Sequence, residues 1–167
     1  MEMKTKQEIF NILIEENLGM LRAAAYRFLH DPDEVDEAVQ EALLTAWNKF
    51  DQFRQTAKLS SWVYRITVNI SCDRLRKRQK ESEKLRQYAE AEQASHNADD
   101  PGDVMLTALS EAVAELPDLY REAVTVGCLG GFSAEDAASL LGCSVNTLYQ
   151  RVHKAKQMLK EKLEVPV

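Results

Sequence analysis

The chain has 167 residues, 45% hydrophobic and 29% charged, which is enough apolar material for one ordinary domain or two small ones. No apolar run approaches the roughly 20 residues that a membrane helix needs, so none is predicted. The net charge of −6 argues against a uniformly basic nucleic-acid binder. Cys72, Cys128 and Cys143 are isolated, without the paired spacing of a zinc site or a disulfide framework, and read as buried or incidental thiols.

The N-terminal stretch MEMKTKQEIF is polar and amphipathic and lacks the apolar core of a signal peptide, so the cytoplasm is the expected compartment. Residues 5–29 repeat apolar side chains at helical spacing through Ile9, Leu13, Leu18, Leu21, Ala25 and Phe28. Asp31-Pro32 is a helix start signal, with Asp31 as the cap and Pro32 at the first helical position. The helix it opens turns Val35, Ala38, Val39, Ala42, Leu43, Ala46 and Trp47 inward. It leaves Asp33, Glu34, Asp36, Glu37, Gln40 and Glu41 outward.

A polar, irregular loop is predicted from Asp51 to Ser60, followed by a helix that starts near Ser60 or Ser61 and runs into Arg78. Trp62, Ile66, Ile70 and Leu75 mark its buried side. Aromatics (Phe50, Phe53, Trp62, Tyr64) interleave here with Arg and Lys, the ingredients of single-stranded nucleic-acid binding. Trp62 at helical spacing also suits the core, and the basic cluster from Arg74 to Lys80 also suits a solvated helix end. From Glu81 to Asp103 the composition is that of a linker, acidic, rich in Ala, Gln, Ser and Asn, and broken by Asp-Asp-Pro-Gly.

A second helical unit follows from Val104, with Leu116-Pro117 as a helix boundary. Its last part reads as a helix-turn-helix. Ser133 caps a short helix with Glu135 and Asp136 at its positive end, Ala138 permits a close crossing, and Gly142 turns the chain. Ser144 caps the second helix, whose Leu148, Val152, Ala155 and Leu159 face the core. Asn146, Tyr149, Gln150, His153, Lys154 and Gln157 remain outward, a mixture suited to base edges and phosphates in a major groove. No strand pattern or nucleotide-binding glycine loop is present, and the residues offer no metal site, no cofactor site and no catalytic cluster.

The charge is segregated along the chain. Residues 31–51 carry −6, residues 54–80 carry +7, residues 81–103 carry −5 and residues 143–162 carry +4. Two basic surfaces separated by acidic ones suit a protein that touches nucleic acid at two places and another partner with its acidic face.

Three stretches together resemble the extracytoplasmic-function (ECF) type of sigma factor. They are Asp31-Pro-Asp-Glu-Val-Asp-Glu-Ala-Val-Gln-Glu41 with Trp47 downstream, Trp62-Val-Tyr-Arg-Ile-Thr-Val-Asn69 with Asp73-Arg-Leu-Arg76, and Leu116-Pro-Asp-Leu-Tyr-Arg-Glu122 before the helix-turn-helix. The resemblance implies an all-α fold, two small helical domains (1–80 and 104–167) joined by a flexible acidic linker (81–103). It also implies a function, binding core RNA polymerase and directing it to promoters.

Asp33, Glu34, Asp36, Glu37, Gln40 and Glu41 would then dock on the β′ clamp, with the β flap as a further polymerase contact. Arg54, Lys58, Ser60, Ser61, Tyr64, Arg65, Asn69, Arg74, Arg76 and Lys77 would recognise and melt the −10 element, Arg65 and Asn69 partly as scaffold. Asn146, Thr147, Tyr149, Gln150, Arg151, His153 and Lys154 would read the −35 element. The family commonly pairs with an anti-sigma factor. Here Thr147-Leu-Tyr-Gln-Arg151 stands where relatives often have Thr-Val-Lys-Ser-Arg, so Tyr149 replaces a phosphate-binding lysine. Gly127, Gly130 and Gly131 are expected to loosen the turn before the helix-turn-helix. The competing readings are a stand-alone helix-turn-helix regulator, which would not need the acidic surface from Asp31 to Glu41, and an RNA-binding adaptor whose two basic faces clamp a folded RNA.

Overall fold

In a computed structural model of the chain, residues 4–89 and 101–164 are described, and they form seven α-helices. Helix α1 (Lys6–Leu29) opens on a reciprocal cap. The Glu8 N–H donates to the Thr5 hydroxyl, and the Glu8 carboxylate accepts from the Thr5 N–H at 2.7 Å. Asp31 caps α2 (Pro32–Asn48) by accepting from the N–H groups of Asp33 and Glu34, with Pro32 where its missing N–H costs nothing. A single 3₁₀ turn (Phe50–Gln52) leads through a short loop to α3 (Leu59–Tyr88).

These three helices bury Phe10, Leu13, Leu21, Phe28, Val39, Val63, Val68 and Leu75. Trp47 and Phe50 close one end, edge-on to the Phe10 ring at 5.0 and 5.5 Å. Helix α3 also buries Ser61, Thr67 and Ser71. Their hydroxyls donate to the carbonyls of Lys58, Val63 and Thr67, so small side chains allow close helix approach with each hydroxyl partnered.

Helix α3 is ten residues longer than its predicted end at Arg78. The stretch from Glu81 reads as linker by composition, but through Tyr88 its residues are mostly good helix formers, and their solvated side chains leave the backbone free to continue the helix. Helix α4 begins at Pro101, inside the predicted linker, and residues 90–100 of that linker lie outside the described residues.

Helix α4 (Pro101–Ala114), α5 (Asp118–Val124), α6 (Ala134–Leu140) and α7 (Val145–Leu163) form the C-terminal unit. Helix α5 runs into a π-helical turn, Thr125–Leu129. Gly131 takes φ +70° in open space, whereas Gly127 and Gly130 sit against neighbouring side chains. A Cβ on Gly130 would lie 2.6 Å from the Phe132 ring and 3.0 Å from the Val126 carbonyl, and one on Gly127 would lie 3.1 Å from Leu148. The Phe132 ring therefore folds tightly over the backbone and meets Tyr64 of α3 edge-on at 5.2 Å.

The two units are not separate beads. One apolar core runs from Phe10 and Leu21 through Val63 and Val68 to Val126, Ala138 and Leu148. The Arg27 guanidinium donates to the Leu129 carbonyl at 2.9 Å, and the Ser110 hydroxyl donates to the Arg27 carbonyl. Cys72 sits in this core, and burial pushes its thiol up to about 12, with Arg121 and Arg76 partly opposing the shift.

Gly130→Ala should destabilise the chain by about 1–3 kcal/mol through overpacking, whereas Gly19→Ala, in open space within α1, should stabilise it by about 0.5–1 kcal/mol; urea denaturation reads both. Because the folded state holds Cys72 as the neutral thiol, its stabilising share is complete below the ordinary thiol range and is lost as pH rises towards about 12. The stability of Cys72→Ala should therefore fall less steeply above pH ~9 than that of the native chain. At pH ~8 iodoacetamide should label exposed Cys128 and spare Cys72.

Candidate nucleic-acid interface

The C-terminal reading surface is built by two caps and one glycine. The Ser133 hydroxyl accepts from the Asp136 N–H and fixes the start of α6. At its end Gly142 takes φ +63°, and the Cys143 N–H returns to the Ala138 carbonyl at 3.0 Å. Ser144 then caps α7 by accepting from the Thr147 N–H at 3.1 Å. Leu148, Val152 and Ala155 pin α7 to the core. A second apolar cluster (Leu116, Val124 and Ala155, with Tyr120, Met158 and Leu159) supports it from behind. Asn146, Tyr149, Gln150, His153 and Lys154 stand exposed, and Thr147 and Arg151 are half-buried. Tyr149, 59% exposed, is the most prominent apolar group on this face.

The residues expected at the second surface divide into three groups. Arg54 is exposed in the loop and Lys77 on α3, and Ser60 is half-buried at the helix start. Ser61 and Tyr64 lie inside, contrary to their expected outward role. Ser61 closes the first turn of α3. The Tyr64 hydroxyl donates to the Thr125 carbonyl at 3.1 Å, and burial raises its pKa against the opposing pull of Arg27. Helical spacing alone did not separate these positions, because the C-terminal unit covers a side of α3 that an isolated domain would expose.

The third group is engaged in ion pairs and hydrogen bonds. The Glu122 carboxylate accepts from Arg65 Nε and Nη2 at 2.9 and 2.8 Å and from Asn69 Nδ2 at 3.1 Å. Lys58 meets Asp136 at 3.0 Å, and the contact holds the half-buried Asp136 carboxyl below its ordinary pKa. Arg74 bridges Glu41 at 2.8 Å and Glu37 at 3.0 Å, and these carboxylates raise its pKa. Arg76 pairs with Asp73 at 2.6 Å.

Beside Arg54 the Phe53 ring lies 5.1 Å from Trp62, and Phe50 stacks on Phe53 at 6.4 Å. Phe53, Arg54, Trp62 and Arg65 line a cleft of about 480 Å³ that α6 closes with Ser139 and Leu140. Half-buried Trp62 thus serves both readings, one edge in the core and the other in the cleft.

The acidic face of α2 presents Asp33, Glu37, Gln40 and Glu41 to solvent, with Glu34 and Asp36 half-buried. Glu34 pairs with Arg78 at 2.8 Å and Asp36 with Arg22 at 3.1 Å. Next to it Leu44 is 64% exposed at the rim of an apolar groove lined by Phe10, Ile14, Leu43 and Trp47. Sequence reasoning passed over Leu44, though it stands one turn beyond Gln40 and off the stripe of Val35, Val39, Ala42 and Ala46. Glu122, at the end of the Leu116–Glu122 motif, and Asp136, in the first turn of α6, carry no sequence signal for a contact with the other unit.

Residues 13–81 match the Sigma-70 region 2 family and residues 106–159 the Sigma-70 region 4 family. The chain is 34% identical over 148 residues to an ECF RNA polymerase sigma factor, EcfG of Rhodopseudomonas palustris, covering 87% of this chain and 80% of the relative. It belongs to the ECF sigma factors of the sigma-70 family.

A further relative is the ECF sigma factor SigW of Bacillus subtilis, 26% identical and covering 96% of this chain and 91% of that protein. Among solved structures, the sigma factor RpoE in complex with the anti-sigma factor NepR from Bartonella quintana superposes with a TM-score of 0.56 at 30% identity. The match covers 95% of this chain and 98% of that one. This sigma factor binds core RNA polymerase and directs promoter-specific initiation. Region 2 spans most of α1 together with α2 and α3 up to Glu81, and region 4 spans most of α4 through most of α7. The Arg65–Glu122 pair therefore joins region 2 to region 4.

Proposed function

We propose that the two regions divide promoter recognition between α7 and the loop–α3 face, while the acidic face of α2 holds polymerase. One observation carries this reading: α7, capped and pinned on its apolar side, leaves Asn146, Tyr149, Gln150, His153 and Lys154 exposed along one face. That face suits the major groove of the −35 element, with half-buried Thr147 and Arg151 at its edge.

The loop–α3 face takes the −10 element. Arg54 and Lys77 supply accessible cations, with Ser60 at the helix start. The Phe53–Trp62 pair offers a plane beside a cleft in which an unstacked base finds stacking and charge together. Arg65, Asn69, Lys58, Arg74 and Arg76 join it as their present partners yield, and Ser61 and Tyr64 act as scaffold. Asp33, Glu34, Asp36, Glu37, Gln40 and Glu41 dock on the β′ clamp, with Leu44 and its groove alongside, and region 4 meets the β flap.

Polymerase supplies the chemistry, so the chain itself is not an enzyme. It works in the cytoplasm with polymerase; among the described residues no helix is long and apolar enough to cross a membrane. An anti-sigma factor would govern it, as the complex of RpoE with NepR suggests. The working units are residues 1–80 and 104–167 joined by 81–103, with the first extended along α3 to Tyr88.

Transcription with reconstituted holoenzyme on promoter libraries tests these roles. Gln150→Ala should cost about 1–3 kcal/mol and relax preference at one −35 position, whereas Lys154→Ala should weaken all promoters evenly and lower the salt slope by about 1. Loss of the same magnitude on every promoter with Gln150→Ala would show that α7 makes only phosphate contacts. Separately, Asp33→Lys with Gln40→Ala should reduce co-purification with core polymerase while the circular dichroism stays helical. Undiminished association would remove the docking assignment.

A further inference from the structure

We propose that Gln157 is a positioning residue of the −35 surface, holding the His153 imidazole in the tautomer that offers DNA a single N–H donor. The inference rests on reading the outward face of α7 as the −35 surface, and it adds the kind of base that His153 takes there. Gln157 Nε2 and His153 Nε2 stand 3.2 Å apart, one helical turn from each other, on exposed positions of α7. An amide nitrogen donates and does not accept, so the ring nitrogen is the acceptor. The imidazole is therefore neutral, with its one proton on Nδ1.

Two rows run along the exposed face at four-residue spacing. Asn146, Gln150 and Lys154 form one, and Tyr149, His153 and Gln157 form the other. From Asn146 to Gln157 the helix advances about 17 Å, more than the ~12 Å width of a major groove. With the first turns of α7 against the bases, Gln157 lies level with the phosphates, so its influence on base choice passes through His153.

The hydrogen bond changes what the histidine can read. An exposed imidazole with no partner turns freely and offers either ring nitrogen as donor or acceptor. Here Nε2 is occupied, and only the Nδ1 donor remains. A lone donor suits guanine, whose major-groove edge carries two acceptors, N7 and O6. It opposes cytosine, which shows only its N4 amino group. Gln157 thereby converts an ambivalent side chain into a reader of acceptors.

Long-range nitrogen–proton correlation spectra of the full chain, isotopically labelled at histidine, read the tautomer at pH ~8.5, where an ordinary imidazole is neutral. The His153 signals are those that vanish in His153→Ala. The native chain should show the Nδ1–H form, and so should Gln157→Lys, whose ammonium also donates. Gln157→Glu, which can only accept, should move the proton to Nε2, and Gln157→Ala should leave a mixture. An Nε2–H imidazole in the native chain overturns the proposal.

Transcription by holoenzyme from a library randomised at the −35 element gives the second readout. Native and Gln157→Lys holoenzymes should favour guanine over cytosine at one position. Gln157→Ala and Gln157→Glu should lose about threefold to tenfold of that preference, the worth of one neutral hydrogen bond. The added charge of Gln157→Lys acts on phosphates and strengthens all promoters evenly, so the preference stays readable. If His153→Ala shifts base preference and the Gln157 series does not, the positioning role is overturned. If neither His153→Ala nor Gln150→Ala shifts preference at any −35 position, the reading of α7 itself fails.

Discussion

Helix α3 is shared between the two halves of the molecule, and that sharing constrains everything around it. Towards α1 and α2 it presents Val63, Val68 and Leu75; towards region 4 it presents Tyr64, Arg65 and Asn69. On the first side the driving force is apolar burial, which holds over a wide range of salt and pH. On the second, apolar packing such as Tyr64 against Phe132 is joined by a half-buried ion pair and its neighbours. Deleting one partner there leaves the other uncompensated, at a cost larger than the net worth of the pair. One helix therefore carries an apolar interface along one face and a mixed polar and apolar one along another.

The charge pattern takes its meaning from the same helix. The chain's acids and bases alternate in blocks, and the fold lays the acidic block of α2 beside the basic block of α3. Arg74 bridges Glu37 and Glu41, and Arg78 reaches Glu34. The surfaces proposed for polymerase and for DNA thus partly neutralise each other before either partner arrives. These pairs are solvated and are worth at most about 1 kcal/mol each, so exchanging them for a partner's charges costs little.

Close approach of backbone and ring fixes how region 4 meets α3. The π-helical turn at Thr125–Leu129 shifts the chain so that the Thr125 carbonyl faces the Tyr64 hydroxyl, and Gly130 lets Phe132 fold back onto the same tyrosine. Tyr64 is consequently the pivot of the contact. Its hydroxyl, its ring edge and the neighbouring Arg65 each find a partner within a few residues of one turn.

Most of the local structure was legible in the amino-acid order, because it depends on interactions a few residues apart. Asp31 and Pro32, Ser133, Gly142 and Ser144 announce helix ends through their own hydrogen bonds and backbone preferences, and the stripe of Leu148, Val152 and Ala155 follows from the helical period. The outward face of α7 was legible for the same reason. Composition misjudged residues 81–88, where polarity resembled a linker while propensity continued the helix.

The tertiary structure alone decided which polar residues meet across more than 50 positions. Arg65 and Glu122, Lys58 and Asp136, and Tyr64 and Thr125 carry no mutual signal in the chain, since each is an ordinary surface residue of its own unit. Their pairing follows from how two amphipathic units cover each other's remaining apolar surface. That packing buries Tyr64 and closes the cleft beside Trp62, because long-range burial overrides what local spacing would leave exposed.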